Sequence, residues 1–238
     1  MQLKVIVNNL ITDPRFKYGW GLSIFVEGLE EGLLFDTGPD GVTLLKNLEL
    51  AGVKPDDIKH IVISHIHLDH IGGLTELLEE MSHSPRVYIP AFISKEFEDR
   101  VKRHGARVVR ISEVTQIYDG VYSTGQLGTV LVEQSLVVKT PKGLVILTGC
   151  SHPKVTSIVS HVRGAFLDQH IYLVLGGFHL IEKDRNYILE TMKYLRVIGV
   201  EKISPSHCSG NVAIEVAKEV FGEENYIDSG AGAIINIE

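Results

Sequence analysis

The sequence contains very little cysteine and no long apolar run. Its 238 residues include only two cysteines, Cys150 and Cys208, too few for a disulfide framework. No stretch reaches the roughly 18 uncharged apolar residues that a membrane-spanning helix requires. The segment Met1–Asn9 reads as a short strand and lacks the charged flank and apolar core of a signal peptide. We therefore expect a cytoplasmic protein without a membrane-spanning segment.

Positive charge is also scarce. The chain carries 23 Lys+Arg against 30 Asp+Glu, a formal net charge of -7, which disfavours non-specific binding of nucleic acid. Hydrophobic residues make up 44% of the chain, enough for a sizeable core, and this excludes intrinsic disorder. At about 100–200 residues per domain, the length fits one large domain or two small ones. The residue type that stands out is histidine, with 11 copies.

Hydrophobic patterns predict β-rich stretches that give way to alternating helices and buried strands in each half of the chain. The predicted strands are Leu3–Val7, Leu22–Glu27, Gly32–Phe35, His60–Ser64, Arg86–Ile89, Arg107–Arg110, Gln116–Tyr122, Gly128–Val138, Leu144–Leu147, Ile171–Leu175, Lys202–Pro205 and Ala233–Ile237. The predicted helices are Val42–Ala51, Leu74–Met81, Asn186–Ile198 and Val212–Phe221, with a helical turn between Ile89 and Arg107. This order favours two packed sheets with helices on their outer faces.

The most informative segment follows the buried strand Ile61–Ile63. It holds His65, His67, Asp69 and His70 within six residues. In extended chain, the first three alternate to one side and His70 points elsewhere. The segment can therefore serve two adjacent metals, with His65 and His67 at one and Asp69 and His70 at the other. Imidazole and carboxylate together suit zinc, iron, manganese or cobalt better than calcium or magnesium, and the alternative is a solvated polar loop.

Three further histidines, His152, His179 and His207, each follow a strand-like run. At equivalent ends of three strands, they could converge on one edge of a sheet. For each of them alone, a hydrogen-bonded histidine near a helix start is an equally good interpretation. The remaining histidines, interpreted as solvated or structural side chains of helical or loop segments, are His60, His83, His104, His161 and His170.

Asp36 ends a predicted strand within the run Phe35–Gly38. A buried carboxylate at this place would orient a ligating histidine. A turn aspartate that caps the following helix is the alternative, and the sequence does not separate the two.

The motifs around Asp36, around His65–His70 and at Ser206–His207 together resemble those of the metallo-β-lactamase superfamily. The resemblance spans nearly the whole chain. It implies an α/β (α+β) fold, an αββα sandwich of two mixed sheets flanked by helices, in a single domain over residues 1–238. It also implies a one- or two-metal site at one edge of the sheets.

Five shorter segments are similar to one subgroup of this superfamily. They are Gly21–Ser23, Glu133–Leu136, Gly149–His152, Gly176–His179 and His207–Gly210. The subgroup is named after the synthase of 7,8-dihydropterin-6-ylmethyl-4-(β-D-ribofuranosyl)aminobenzene 5′-phosphate, an enzyme of methanopterin biosynthesis. The resemblance therefore implies a transferase as one candidate activity.

The chain departs from the superfamily pattern at two places. Members commonly carry a histidine near Glu133–Gln134 and a bridging aspartate near Cys150, and this chain has neither. We predict that His152 takes over as ligand, with Cys150 as an alternative soft ligand. The predicted ligand sets are His65, His67 and His152 for one metal and Asp69, His70 and His207 for the other. Zinc is the expected metal, with manganese and iron as alternatives.

We expect a metal-dependent hydrolase that directs a metal-bound hydroxide at an ester or phosphoester. Asp69 would orient that hydroxide, and His179 would act on the substrate side as a proton donor or phosphate contact. One alternative is the synthase activity, in which the metals would bind a diphosphate leaving group. The other is a non-catalytic metal-binding or redox protein.

The substrate is expected to be a small molecule with a phosphate or other anionic group. The segment His207–Asn211 precedes a predicted helix, and free backbone N–H groups at a helix start bind anions. Arg15 and Lys17 are a second candidate anchor, and two solvated loop cations are an equally good interpretation. Ser209 is a candidate contact of a ligand or of the substrate. The oligomeric state does not follow from the sequence.

Overall fold

A computed structural model describes residues 1–238 and contains two mixed β-sheets. The first sheet consists of β1 (Gln2–Val7), β2 (Ser23–Glu27), β3 (Gly32–Phe35), β4 (Ile58–Val62), β5 (Arg86–Pro90), β6 (Arg107–Ile111) and β13 (Ile234–Asn236). Its strand order is β13-β1-β2-β3-β4-β5-β6, and β3 to β6 run parallel to one another.

The second sheet consists of β7 (Thr115–Tyr118), β8 (Val121–Ser123), β9 (Leu136–Thr140), β10 (Gly143–Thr148), β11 (Ile171–Gly177) and β12 (Val200–Ser206). Its strand order is β12-β11-β10-β9-β8-β7. The strands β10, β11 and β12 are parallel neighbours, whereas β7 to β10 form an antiparallel meander.

The helices are α1 (Gly41–Leu50), α2 (Leu68–Ile71), α3 (Leu74–Glu79), α4 (Lys95–Arg103), α5 (Val155–Ala165), α6 (Arg185–Val197) and α7 (Asn211–Phe221). Helices α1, α3 and α4 pack on the outer face of the first sheet, and α5, α6 and α7 pack on the outer face of the second. A third core cluster lies between the two sheets. The predicted αββα sandwich is therefore confirmed. None of the helices is both long enough and apolar enough to span a membrane.

Strand β10 illustrates why these sheets are built from continuous apolar runs. Leu144 and Ile146 face the helices, whereas Val145 and Leu147 face the other sheet. Side chains alternate between the two faces of a strand, so a sheet that is covered on both faces needs apolar residues at every position.

The region before β9 differs from the prediction. The sequence pattern predicts β structure over Gly128–Val138, but the strand begins only at Leu136. Gly125 and Gly128 have positive φ angles of 76° and 87°, which extended strands do not use. Leu127 and Glu133 exchange two backbone hydrogen bonds and close the segment between them into a loop.

Two other segments also differ. The predicted run Gln116–Tyr122 is a hairpin, in which Gly120 has a φ angle of 73° in the turn between β7 and β8. The expected helical turn between β5 and β6 is the full helix α4, which begins at the capping residue Ser94 and carries an apolar face with Phe97 and Val101. His60 lies inside strand β4 and is buried, which agrees with the predicted strand His60–Ser64 and contradicts the assignment of this histidine to a helix or loop.

The candidate metal ligands lie in loops that follow strand ends of both sheets. Parallel neighbours bring their carboxyl ends to the same edge, where the loops that follow can meet. The loop after β4 carries the first metal motif, and the loops after β10, β11 and β12 carry His152, His179 and His207. Gly177 permits a close approach of the chain after β10 and the end of β11, because a Cβ there would collide with the carbonyl oxygen of Gly149.

Candidate metal centre

The first ligand group consists of His65, His67 and His152. Their donor atoms lie within 4.8 Å of one another. The Nε2 atom of His65 lies 3.1 Å from the Nδ1 atom of His67, and the ring of His152 lies 4.7 Å and 4.9 Å from the two other rings. The structure therefore brings together three histidines from loops that follow strands of two different sheets.

The second ligand group consists of Asp69, His70, Cys150 and His207. An oxygen of Asp69 lies 3.3 Å from Nε2 of His207, and Nε2 of His70 lies 3.2 Å from the sulfur of Cys150. The expected alternation of side chains ends at His67, because Leu68–Ile71 forms the helical turn α2. That turn places Asp69 beside His70 rather than beside the first group.

The two groups are adjacent, since the rings of His65 and His70 lie 4.2 Å apart. This proximity would allow two metal ions to lie next to each other. His179 lies at the outer side of the first group, with its ring 4.8 Å from that of His152.

Four of the five histidines in these groups are oriented through Nδ1. His65 contacts the Ser64 hydroxyl at 2.9 Å, and His70 contacts the Asp36 carboxylate at 2.7 Å. The other two contacts are those of His152 with Glu133 at 2.9 Å and of His207 with Asn9 at 3.0 Å. In each case Nε2 is left to face the centre, as is usual for metal-ligating histidines.

The donor set fits divalent metal ions. The Nε2 atoms of His70 and His207 face each other at 3.3 Å. Because Nδ1 of His70 donates to Asp36, its neutral ring presents a lone pair on Nε2 toward this point. A carboxylate, a sulfur and two imidazole nitrogens that converge within 4.8 Å are donors that divalent metal ions bind, so the donor set fits a metal site.

Burial keeps two of the histidines neutral. It lowers the pKa of His65 and of His70 to about 3, and the neutral form is the one that binds metals. For Asp69, burial acts to raise the pKa, but hydrogen bonding to His207 outweighs it and lowers the pKa. The centre thus presents the neutral imidazoles of His65 and His70 and the ionised carboxylate of Asp69.

Asp36 orients the first metal motif and does not cap a helix. Its carboxylate accepts hydrogen bonds from the backbone N–H of Ser64 at 2.7 Å and from the Ser64 hydroxyl at 2.6 Å, in addition to His70. Complete burial raises the pKa of Asp36 to about 7. Helix α1 is capped instead by Asp40, which accepts from the backbone N–H of Thr43. Of the two interpretations of Asp36, the structure favours the carboxylate that orients a histidine.

Backbone strain is concentrated around the centre. Six non-glycine residues have positive φ angles, and five of them lie in the loops that build the centre or directly after them. These five are Asp36, Ser151, Lys154, His179 and His207. Such conformations cost about 1–3 kcal/mol each and persist where the surrounding structure enforces them, which is typical of functional sites.

The sequence profile of the metallo-beta-lactamase superfamily matches residues 21–150, more than half of the chain. The chain belongs to this superfamily. It is 29% identical to a 7,8-dihydropterin-6-methyl-4-(beta-D-ribofuranosyl)-aminobenzene-5'-phosphate synthase from Methanocaldococcus jannaschii, over 90% of this chain and 89% of that protein.

Two solved structures extend the comparison. Tm1679, described as a metal-dependent hydrolase of the beta-lactamase superfamily, is 27% identical, with a TM-score of 0.83 over 100% of this chain and 99% of that one. The short form of human tRNase Z has a TM-score of 0.68 at 15% identity and covers 100% of both chains, a likeness that concerns the fold alone.

Glu133 is the residue by which this member of the metallo-β-lactamase superfamily holds His152. One carboxylate oxygen accepts from the backbone N–H groups of Cys150 and Ser151 at 3.0 Å and 2.8 Å. The other accepts from the backbone N–H and the ring of His152 at 3.0 Å and 2.9 Å. Although burial opposes ionisation, these donors lower the pKa of Glu133 to about 2. No sequence pattern predicts this role.

We expect Glu133→Gln to lower the free energy of unfolding by about 2–4 kcal/mol, because the amide nitrogen would face the two donors of His152. For a chain of this size, the change corresponds to a Tm about 5–10 °C lower. Thermal unfolding followed by circular dichroism measures the effect. Glu113→Gln, at an exposed position, is the matched control, and equal Tm values for both variants would contradict the assigned role.

Other residues of this protein also orient the candidate ligands in ways that the sequence does not predict. Asn8 and Asn9 follow strand β1 and hold His207 through its backbone N–H and its ring. The hydroxyl of Ser209 accepts from the backbone N–H of Phe178 at 3.0 Å, so it supports the turn before His179 rather than a ligand. The sequence signal for these roles is a polar residue at the end of a strand, but this signal does not identify the partner, which is distant in the sequence.

The expected cationic anchor is not at the centre. Arg15 forms an ion pair with Asp13, and neither Arg15 nor Lys17 lines the cavities beside the ligands. Lys183 lines the cavity above both ligand groups instead.

The five histidines interpreted as solvated or structural side chains lie away from the centre and have other partners. These partners are Tyr88 for His60, Asp56 for His83, Glu79 for His104, the Thr124 carbonyl for His161 and Glu201 for His170.

Proposed function

We propose that this protein is a metal-dependent hydrolase that acts on an ester or phosphoester of a small, anionic substrate. The observation that supports it is that both ligand groups open into one cavity of about 220 Å³. His67 and His152 of the first group and Asp69 and His207 of the second line this cavity. A substrate in it would contact both groups at once.

The residues fit two divalent metals, with zinc as the first candidate and manganese or iron as alternatives. When bound, such metals supply Lewis acidity and lower the pKa of a coordinated water from 15.7 to about 7. Two cysteine sulfurs, those of Cys150 and Cys208, line the same cavity. Hydrogen bonding between them raises the pKa of Cys150 and lowers the pKa of Cys208.

Asp69 is the residue that we assign to orienting the attacking water. Its side chain is 23% exposed, whereas the side chains of His70 and His207 are fully buried. One carboxylate oxygen can hold a metal while the other accepts a hydrogen bond from the water. Positioning of this kind reduces the entropic part of the barrier.

We assign His179 to the substrate rather than to a metal, and metal analysis of its variant tests the alternative that it binds an ion together with Cys150 and His152. Its side chain is exposed in the cavity and follows Gly176 and Gly177, where the backbone approaches the centre closely. Hydrogen bonding to the Cys208 sulfur raises the pKa of His179, which favours the protonated ring that a proton donor needs.

We expect His179→Ala to lower kcat by about 100-fold, the lower range for loss of a general acid, while the metal content stays unchanged. Steady-state kinetics and elemental analysis of the same sample measure both quantities. His170→Ala, at an exposed site on the opposite end of strand β11, is the control. Loss of one metal equivalent in His179→Ala would make this residue a ligand and contradict the role.

The second candidate function is a synthase that transfers a group and releases diphosphate. The similarity to the synthase of M. jannaschii over 90% of this chain favours it. In that case the two ligand groups would serve to bind the diphosphate leaving group, and no water would need to be oriented by Asp69.

One experiment separates the two functions. Purified protein with its metals restored is assayed on bis(4-nitrophenyl) phosphate, 4-nitrophenyl acetate and a lactone, with no pterin present. We expect hydrolysis of at least one of these substrates, and the activity should disappear after chelation. A metal-loaded protein that hydrolyses none of them, but releases diphosphate with a pterin diphosphate and an arylamine, would contradict the hydrolase proposal.

A further inference from the structure

A second cavity of about 160 Å³ lies beside the metal centre. It shares His152, His179 and Lys183 with the cavity above the ligand groups. Its polar lining includes Lys154, Thr156, His179, Lys183, Tyr187 and Thr191, and we name it the lysine cavity. Nothing in the metal chemistry accounts for the two cations that line it.

Both lysines of the lysine cavity are free of carboxylate partners. Neither Lys154 nor Lys183 forms an ion pair, whereas Lys193 on helix α6 pairs with Glu190 at 3.0 Å. The protein as a whole has a net charge of -7, so two uncompensated cations at one concave place create a local positive potential. An anion entering the cavity would gain two charged partners.

The remaining lining suits a phosphate oxygen better than an apolar group. Thr156, Tyr187 and Thr191 offer three hydroxyl donors around the lysines. Helix α5 begins at Val155, directly after Lys154, so backbone N–H groups of its first turn lie at the same end. Only four of the 11 lining residues are hydrophobic.

We propose that the lysine cavity binds a phosphate group of the substrate that does not react. The proposal rests on the proposed function, because it assigns the reacting ester to the adjacent cavity above the ligand groups. Since the two cavities meet at His152, His179 and Lys183, one small molecule can reach both. The substrate class is therefore a small ester or phosphoester that carries a second, remote phosphate monoester.

Binding of phenyl phosphate to the metal-loaded protein tests the cavity directly. Isothermal titration calorimetry compares the wild type with Lys154→Gln, Lys183→Gln and the double variant. Because hydrogen bonds to charged groups are worth about 1.5–3 kcal/mol, the double variant should bind at least about 10-fold more weakly. Lys142→Gln, at an exposed turn, is the control and should bind as the wild type does. Metal content and Tm should be equal in all variants.

Unchanged affinity in the double variant would overturn the proposal. The same holds if phenyl phosphate binding persists without the lysines but is lost in His70→Ala, because the probe would then bind at the metal ligands. Either result leaves the hydrolase proposal standing.

Kinetics with a matched pair of esters tests the substrate class. Thymidine 5′-(4-nitrophenyl phosphate) is compared with the same compound bearing a 3′-phosphate. Lys154→Gln should raise KM for the ester with the 3′-phosphate by at least about 10-fold and leave KM for the other ester unchanged, because Lys154 lines the lysine cavity and not the cavity above the ligand groups. Equal effects on both esters would overturn the proposal. Failure of the metal-loaded wild type to hydrolyse either ester would count against the hydrolase function, and the calorimetric result would still decide the phosphate site.

Discussion

Asp69→Asn is expected to retain most of the bound metal and to lose at least about 100-fold in kcat. The amide keeps the shape and one oxygen of the carboxylate, but it loses the charge and half of the acceptor sites. His70, Cys150 and His207 remain to hold the metal of the second group. A 100-fold loss corresponds to about 2.7 kcal/mol at 1.36 kcal/mol per decade.

The measurement is kcat of Asp69→Asn across a titration with metal. A deep loss that does not depend on metal concentration would support the role in orienting water. Rescue to nearly the wild-type rate by excess metal would defeat that role, because it would show that Asp69 serves only to bind the ion. Asp119→Asn, at an exposed turn, is the matched control and should leave kcat unchanged.

The second large effect concerns metal stoichiometry. We expect two metal ions per chain in a fully loaded sample, and we expect His152→Ala and His70→Ala each to lose one of them. The two histidines belong to the first and the second ligand group, which share no member, whereas a third combination of Cys150, His152 and His179 overlaps both. Loss of a ligand from one group should therefore leave the other group occupied.

Elemental analysis after loading and gel filtration measures the stoichiometry. His152→Ala is the safer variant, because Glu133 keeps three backbone N–H donors when the ring is removed. His70→Ala removes a partner of the buried carboxylate of Asp36, so its Tm is measured in parallel. His170→Ala should bind two ions. A ceiling of one ion in the wild type, with His70→Ala unaffected, would contradict the prediction of two ions.

Most residues of the two candidate ligand groups could be proposed from the sequence alone. His65, His67, Asp69 and His70 lie within six residues, so their grouping needs no long-range contact. His152 and His207 are candidates because each follows an apolar run. Parallel strands in one sheet present their carboxyl ends at the same edge, and this physical rule predicts that side chains just beyond those ends lie close together.

The layered fold was also accessible from the sequence. Apolar runs with polar loops predict buried strands, and periodic helices between them predict outer layers. The strand prediction was wrong where glycines interrupt an apolar run, as between Gly125 and Leu136. There the composition is typical of a strand, but the loop is closed by backbone hydrogen bonds between Leu127 and Glu133.

The way in which the ligands are held, and the position of the cations, follow from the packing of the sheets. Glu133 and His152 are 19 residues apart, and Asn9 and His207 are 198 apart, so no local pattern links them. Lys154 and Lys183 follow different strands and meet beside His179 because β10 and β11 are parallel neighbours. Sequence spacing specifies contacts within one helix or strand, whereas contacts between loops depend on the arrangement of the strands that carry them.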